Sequence, residues 1–461
     1  MGVKHVCFLL FICQTALATI YEVGPGKANE TIEQVPWTQL AAGDSVLIHW
    51  RAEPYQSKWL ISVRGTESAP VTIRGVPGSE GQLPVISGIN ALTPPGLDYW
   101  GHARSVIKIG PASVPNNIIP AYVTVEDLEI KSARRPYSYT WRRGPGNYDP
   151  SAAAIWIEAG EHISVRHCVL HDCANGFAVS KGGKDIALEG CYLYDNGVEK
   201  STQQHNVYTE ANGMTFRFNR LGPLRAGCLG NNLKDRSART VVACNWIEGG
   251  NRELDLVDAE DSAEIRADAK YGRTVVYGNI IVEPNDPGNQ IVHYGGDSGH
   301  VDWYRPGTLY FFNNTVISRR PDSTTLFRIQ DNEEKVEAWN NIIYCSAAGK
   351  SLAVVNSVGQ VDLRNNWIKP GWVNCHGEFT GSVADHHNLV GNNPGFANEA
   401  GDDFHLASNS PCLQAGLAMP AEFKEAMDRE YVPHQKSQPR ADALDLGAFA
   451  RPAASLGQNR N

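Results

Sequence analysis

The sequence predicts an all-β fold, a single-stranded parallel β-helix (solenoid), and three observations carry that expectation. One short phrase recurs between Ile163 and Ile368: ISVRHCVL, IALEGCYL, MTFRFNRL, TVVACNWI, TVVYGNII, LYFFNNTV, VEAWNNII and VDLRNNWI. Its sixth place holds Cys168, Cys191, Asn219, Asn245, Asn279, Asn314, Asn341 and Asn366, and successive copies stand 23 to 35 residues apart. Two places on, the residue is always aliphatic, from Leu170 and Leu193 to Ile343 and Ile368.

A repeat of roughly 20–50 residues is the mark of stacked supersecondary units, each of which buries its apolar face on the next. Apolar residues at alternate places require strands. Asparagine suits a tight turn between strands because it tolerates left-handed backbone. Stacked once per rung, its amides can hydrogen-bond along the axis. A leucine-rich solenoid would need a shorter, stricter period. A propeller would need antiparallel hairpins with Gly-Asn or Asn-Gly turns.

Taken in order, the chain opens with Lys4, a short apolar run at 6–13 and Ala16-Leu17-Ala18. That is the pattern of a cleavable secretory signal over residues 1–18, and the run is too short to span a bilayer. The expected location is secreted or periplasmic. Residues 31–40 suit a short helix, the expected N-terminal cap, since solenoid ends expose core. Short β-branched runs punctuated by Gly and Pro follow as the first rungs. Longer intervals after Asn245 and Asn279 place insertions at 263–273 and 296–306, where per-rung insertions commonly wall a groove. Past Ile368 the pattern dissolves into an irregular C-terminal cap. One domain is expected over 19–450, with a disordered tail at 451–461.

Formal charge is −9, one unit more negative once Lys4 leaves. That argues against a nucleic-acid binder, which needs a net basic face. No later stretch suits a transmembrane helix. A monomer acting on an acidic polysaccharide is the expected arrangement. Of ten cysteines, two lie in the signal. Cys168 and Cys191 share a rung position within disulfide reach, and stacked free thiols are equally compatible. The cysteine spacings make no zinc pattern.

Equivalent offsets in stacked rungs become neighbours. His205 and Asn206, then Asn231, Asn232, Lys234 and Arg236, then Asp255, Asp258 and Glu260, then His293 and Asp297, should form one patch along the axis. Lys234 and Arg236 flank Asp235, so period two puts both cations on one face. Cations beside His and carboxylates suit β-elimination from a uronic acid, where the substrate carboxylate must be neutralised before the α-proton leaves. The expected catalytic roles are Arg236 neutraliser, Lys234 base and His205 donor to the leaving oxygen. Asp255 and Asp258 orient these cations or hold a calcium ion. Asn206, Tyr208, Asn232, His293 and Tyr294 are expected to touch substrate. So are Arg134, Arg135, Tyr137, Tyr139, Trp141, Arg142 and Arg143, a dense polar-aromatic loop suited to sugar faces and carboxylates, or to simple packing on the barrel. Hydrolysis by two carboxylates drawn from Asp255, Asp258, Asp261 and Asp297, or glycan binding without chemistry, are the competing readings.

The opening GDSVLIHW…GTESAPVTIRGVPG…PVISG resembles secreted right-handed β-helix proteins of the polysaccharide-lyase-like (pectate lyase-like) superfamily. The stretch from Gln204 to Ser318 resembles a group of bacterial exported members. The matching places are His205-Asn206-Val207-Tyr208, Lys234-Asp235-Arg236, Asp255 and Tyr294-Gly295-Gly296. Val257-Asp258-Ala259 departs from that group's Pro-Gly-Gly, and Cys228 and Asn232 stand where it has a His. The resemblance implies a right-handed coil; it does not name an activity, because one fold hosts several chemistries.

Overall fold

The computed structural model describes residues 18–345, 352–423, 426–440 and 444–450. The signal reading of residues 1–18, apart from Ala18, and the tail reading of 451–461 lie outside the described residues.

Each repeat occupies the register its pattern demands. The position three before the ladder residue pairs in parallel from Val165 to Leu188, Phe216, Val242, Val276, Phe311, Ala338 and Leu363. The position two after pairs from Leu170 to Leu193, Leu221, Ile247, Ile281, Val316, Ile343 and Ile368. Both columns point inward and are buried. Each of these side chains other than Ala338 contributes about 1.5–3 kcal/mol by leaving water, and truncating Phe311 to Ala would cost about 3–5 kcal/mol.

The second column belongs to an 11-stranded wall running from Val85–Ser87 to Leu389–Val390. The remaining rung strands form two further walls, joined where the long strands Ala153–Arg166 and Asn175–Glu189 bend. Their registers shift between Ile157 and Ala159 and between Val179 and Gly183. The architecture is a long parallel β-helix with almost no helix.

The ladder runs along one corner. Asn219 Nδ2 donates to Asn245 Oδ1 at 2.9 Å, Asn245 to Asn279 at 2.9 Å, Asn279 to Asn314 at 2.9 Å and Asn314 to Asn341 at 3.1 Å. The left-handed residue is not the ladder Asn, as the sequence suggested, but the one before it. Phe218, Cys244, Asn313, Asn340 and Asn365 all have φ between 49° and 59°. That turn swings the next amide inward, where only a side chain with both donor and acceptor satisfies the buried backbone of two rungs. Cys168 and Cys191 occupy the first two places as buried free thiols, with the Cys168 N–H donating to Cys191 Sγ at 3.4 Å.

Both ends differ from expectation. The helix read at 31–40 is a single 3₁₀ turn, Ile32–Gln34. Pro36 follows at once and lacks the N–H that would continue it. The end is sealed instead by Ile32, Val35 and Trp37, the last stacked on Trp59 at 5.3 Å. At the other end the coil continues past Ile368 through Ser382–His386 and Leu389–Val390, and Asn388 extends the ladder. The rest of the chain turns back along the flank. Phe404, Leu406, Tyr431 and Phe449 pack on Trp246, Ile280, Ile317, Ile342 and Trp367 of the 11-stranded wall.

Candidate functional site

Across one wall a single column of paired residues reads Lys108, Trp156, Ala178, Tyr208, Lys234, Asp255, His293, Arg328. These side chains point outward, opposite to core residues such as Val207, Leu233 and Leu254. A cavity of about 500 Å³ opens on the column. His205, Tyr208, Glu210, Lys234, Arg236 and Asp297 are among its lining residues. The 296–306 insertion walls it through Asp297 and Ser298, and the 263–273 insertion braces that one without lining the cavity. Arg266 of the short helix Ala263–Arg266 lies 4.3 Å from the Trp303 ring, and the Tyr271 hydroxyl donates to Trp303 O at 2.9 Å.

Lys234 and Arg236 reach the cavity from one strand, Leu233–Asp235 and the residue after it, while Asp235 between them turns to the core. Their charges converge on Asp297. Lys234 Nζ bonds one Asp297 oxygen and Arg236 Nη2 the other, the second at 2.8 Å. Lys234 also lies 3.1 Å from Asp255, and Arg236 3.0 Å from Glu260. The Asp297 loop is pinned from below, its N–H donating to Asp258 Oδ1 at 2.7 Å. Gly295 and Gly296 precede it because a Cβ at either would strike Glu334 or Tyr304.

Behind the column runs a chain of polar contacts. The His205 N–H donates to Asn175 Oδ1 at 2.8 Å, and the Asn231 N–H donates to His205 Nδ1 at 2.9 Å. Asn231 Nδ2 donates to Asp255 Oδ2 at 2.5 Å, and His293 Nδ1 meets Asp255 Oδ1 at 2.6 Å. Burial pushes the Asp255 carboxyl up, but His293, Lys234 and Arg252 outweigh it and hold the group well below the ordinary range. Asp297 is likewise lowered, with Lys234 and Arg236 overcoming burial. Burial, then Lys234, take His205 down to about 3, so the ring is neutral; with Nδ1 accepting, its proton sits on Nε2. Glu210 goes the other way. Burial, then the Asp261 carboxylate, push it to about 7. Burial raises Tyr208 against the opposing charge of Arg236.

His205, Lys234, Arg236 and Tyr208 are therefore brought to one cavity, with Asp258 directly beneath. The neighbour of Lys234 in the column is Asp255, ten residues after Asn245, a choice the offset reading left open between Asp255 and Asp258. Other expected contacts lie elsewhere. Asn206 and Asn232 are fully buried in a second amide stack with Asn196. His293 stands behind Asp255, and Tyr294 points into the core. The loop at 133–143 does not line the cavity. Arg134 pairs with Asp172 at 2.7 Å and donates to the Tyr137 hydroxyl at 3.0 Å, while Arg142 pairs with Asp98 at 2.6 Å. Arg135 donates to Tyr148 O at 3.4 Å. Tyr139 bonds His102 at 2.7 Å, Trp141 stacks on His102 at 3.7 Å, and Arg143 lies over Trp141 at 5.3 Å. Tyr139 of this loop is buried, whereas Arg135, Arg142 and Arg143 are exposed. Asp255 and Asp258 do not fit a shared calcium ion: one serves Lys234 and His293, the other the Asp297 amide. Among the described residues no group of three His, Cys, Asp or Glu is placed to hold a metal.

The long parallel coil also resembles solved proteins. Pectate lyase Pel9A superposes with a TM-score of 0.51 at 11% identity, covering 95% of this chain and 97% of that one. The fold is pectate lyase-like. The GH136 lacto-N-biosidase from Eubacterium ramulus (TM-score 0.49, 12% identity, 81% of this chain and 68% of that) is also similar. So is the alginate lyase from Paenibacillus sp. str. FPU-7 (TM-score 0.48, 12% identity, 80% and 99%). No family model and no curated protein matches the sequence. At 11% identity the likeness to Pel9A speaks for the fold alone.

Glu210 was absent from the offset reading. A signal existed: Tyr208 and Glu210 alternate about Thr209 as Lys234 and Arg236 do about Asp235, one rung earlier.

Proposed function

We propose that this is an exported carbohydrate-active protein that cleaves a uronate-containing polysaccharide by β-elimination in the cavity at Lys234. The observation that carries the reading is the grip of Lys234 and Arg236 on the two oxygens of one carboxylate, Asp297. A cavity whose floor already clasps a carboxylate between an ammonium and a guanidinium is preorganised for the carboxylate of a uronic acid. The substrate group takes the place of Asp297, and its neutralised charge makes the α-proton removable.

The division of labour differs from the roles read in the sequence. Lys234 shares its charge with Asp255 and Asp297, which suits a neutraliser rather than a base. His205 has its Nδ1 occupied by the Asn231 N–H, leaving Nε2–H as a hydrogen-bond donor. Glu210, near 7, is the group poised to accept a proton at neutral pH, and Tyr208 keeps a phenolic proton to give. In the proposed step the α C–H proton passes to the Glu210 carboxylate and the electron pair forms the C=C bond. The β C–O bond breaks, and the leaving oxygen takes the Tyr208 proton.

One observation favours a second reading. A carboxyl held to about 7 beside ionised carboxylates is also what a glycoside hydrolase asks of its acid, with Glu210 as donor and Asp261 or Asp297 as partner. Incubation with polygalacturonate, alginate, hyaluronan and chondroitin separates the two. Ultraviolet absorbance from an unsaturated uronate supports elimination; new reducing ends without that absorbance reject it in favour of hydrolysis.

A further inference from the structure

The cavity is chemically lopsided. Towards Lys234 its cations are answered by Asp297, Asp255 and Glu260. Towards the N-terminal rungs the lining changes to neutral hydroxyls and amides, among them Ser151, Asn175, Ser180 and Gln203, with one cation, Arg104. Arg104 is exposed, and among the described residues no carboxylate pairs with it. Its position is nevertheless built. The guanidinium lies over the Trp156 ring at 4.6 Å from the centroid. That ring is buried, and its indole N–H donates to Ser180 Oγ at 2.9 Å. Gly101 makes room beneath, because a Cβ there would lie 2.6 Å from Trp156 Cζ3. The nearby charges are already committed: Lys108 pairs with Glu158 at 2.6 Å.

A guanidinium stacked on a fixed indole keeps its N–H edge free and loses little rotamer freedom on binding an anion. Trp156 is three pairings from Lys234 in the column, by way of Ala178 and Tyr208. Three strand spacings are about 14 Å. That is farther than one sugar ring reaches from the Lys234–Arg236 clasp. Ala178, the smallest side chain in this part of the column, keeps the floor between them low.

We propose that Arg104 is the anion-binding residue of a second sugar subsite, and that the ligand is a chain bearing carboxylates on at least two of its sugars. The inference rests on the carbohydrate reading of the cavity but not on elimination. It makes the clasp the site of the reacting uronate and Arg104 the reader of a uronate farther along the same chain.

The test is calorimetric titration of the full chain with oligogalacturonates and oligomannuronates of two to six units, for the wild type, Arg104→Ala, Arg104→Lys and Arg236→Ala. The wild type should bind tetramers more tightly than dimers. Arg104→Ala should weaken tetramer binding about tenfold, weaken dimer binding much less, and so flatten the length dependence, with Arg104→Lys in between. Arg236→Ala should weaken all lengths together. Where cleavage is measured, the Arg104 variants should raise KM for the tetramer and leave kcat near its wild-type value. Equal losses at every length in Arg104→Ala, or no loss at all, overturns the proposal. So does a wild type that binds no oligouronate. Binding without cleavage in the wild type removes elimination and leaves the Arg104 subsite standing. Cleavage that ignores Arg104 does the reverse.

Discussion

Replacing Asn279 by alanine tests the amide stack in its buried middle. Asn279 Oδ1 accepts from the Asn245 N–H and from Asn245 Nδ2, both at 2.9 Å. Its Nδ2 donates to Asn314 Oδ1, to Val242 O and to Tyr277 O, all at 2.9 Å. Alanine deletes all five. The neighbours recover unequally. Asn245 Nδ2 keeps Phe216 O at 3.1 Å, and Asn314 Oδ1 keeps the Asn279 N–H at 3.1 Å. The Asn245 N–H keeps nothing, in a place water does not reach. A stranded buried donor costs about 1–3 kcal/mol, and each further lost bond about 0.5–1.5 kcal/mol net. Allowing for coupling among bonds that share partners, the variant should lose about 3–5 kcal/mol. The control is Asn388→Ala at the half-buried end of the same stack, where water can replace the amide and the loss should be about 1 kcal/mol or less. Urea unfolding followed by circular dichroism compares the two, and hydrogen exchange of the Asn245 amide reports the stranded group directly. If both variants lose the same small amount, the stack is ornament and the corner is held by strand packing alone.

Lys234→Ala and Arg236→Ala should each lower turnover on a cleaved polyuronate at least a thousandfold with the circular dichroism spectrum unchanged; full turnover in both would remove the site. Asp297→Asn should tighten galacturonate binding about tenfold, because the protein's own carboxylate no longer competes for the clasp; weaker binding would make Asp297 a contact to the sugar. With Glu210 near 7, activity should climb as pH rises through about 7 and that limb should vanish in Glu210→Gln, a limb that persists assigning the base elsewhere. Glu334 is buried, accepts the Gln330 and Asp331 N–H groups, and is pushed by burial to about 8. Its folded value exceeds the unfolded one, so its contribution is complete below about pH 4.5 and is lost as pH rises through about 8. Glu334→Gln should recover a few kcal/mol of stability above pH 8 in denaturant melts at several pH values, and an unchanged pH slope would count against that burial.

The coil was legible because its determinants are local and repeated. A strand exposes alternate residues, so the columns headed by Val165 and Leu170 keep register whatever the intervening loops do. The ladder, too, follows from residue type, although the left-handed turn falls one place earlier than the side chain suggested. The cap at 31–40 was misread because Pro36 and Trp37 decide its shape through a missing N–H and a ring stack on Trp59. The loop at 133–143 reads as a glycan surface by composition; two of its four charges, Arg134 and Arg142, are paired with Asp172 and Asp98, partners far away in sequence.

The site divides the same way. Period two by itself sets Lys234 and Arg236 on one face, and would have set Tyr208 and Glu210 beside them. Offsets from the ladder could not choose between Asp255 and Asp258, since insertions of different length shift the count from rung to rung. Asp297 reaches the two cations only because a loop 63 residues on folds back over them, pinned by the Asp258 carboxylate. Arg104 joins the same cavity from 130 residues before Lys234, on a turn set by Trp156. Strand geometry is written in neighbouring residues and survives any loop. Which loops close over the wall depends on contacts between distant parts of the chain, and those exist only once the coil has formed.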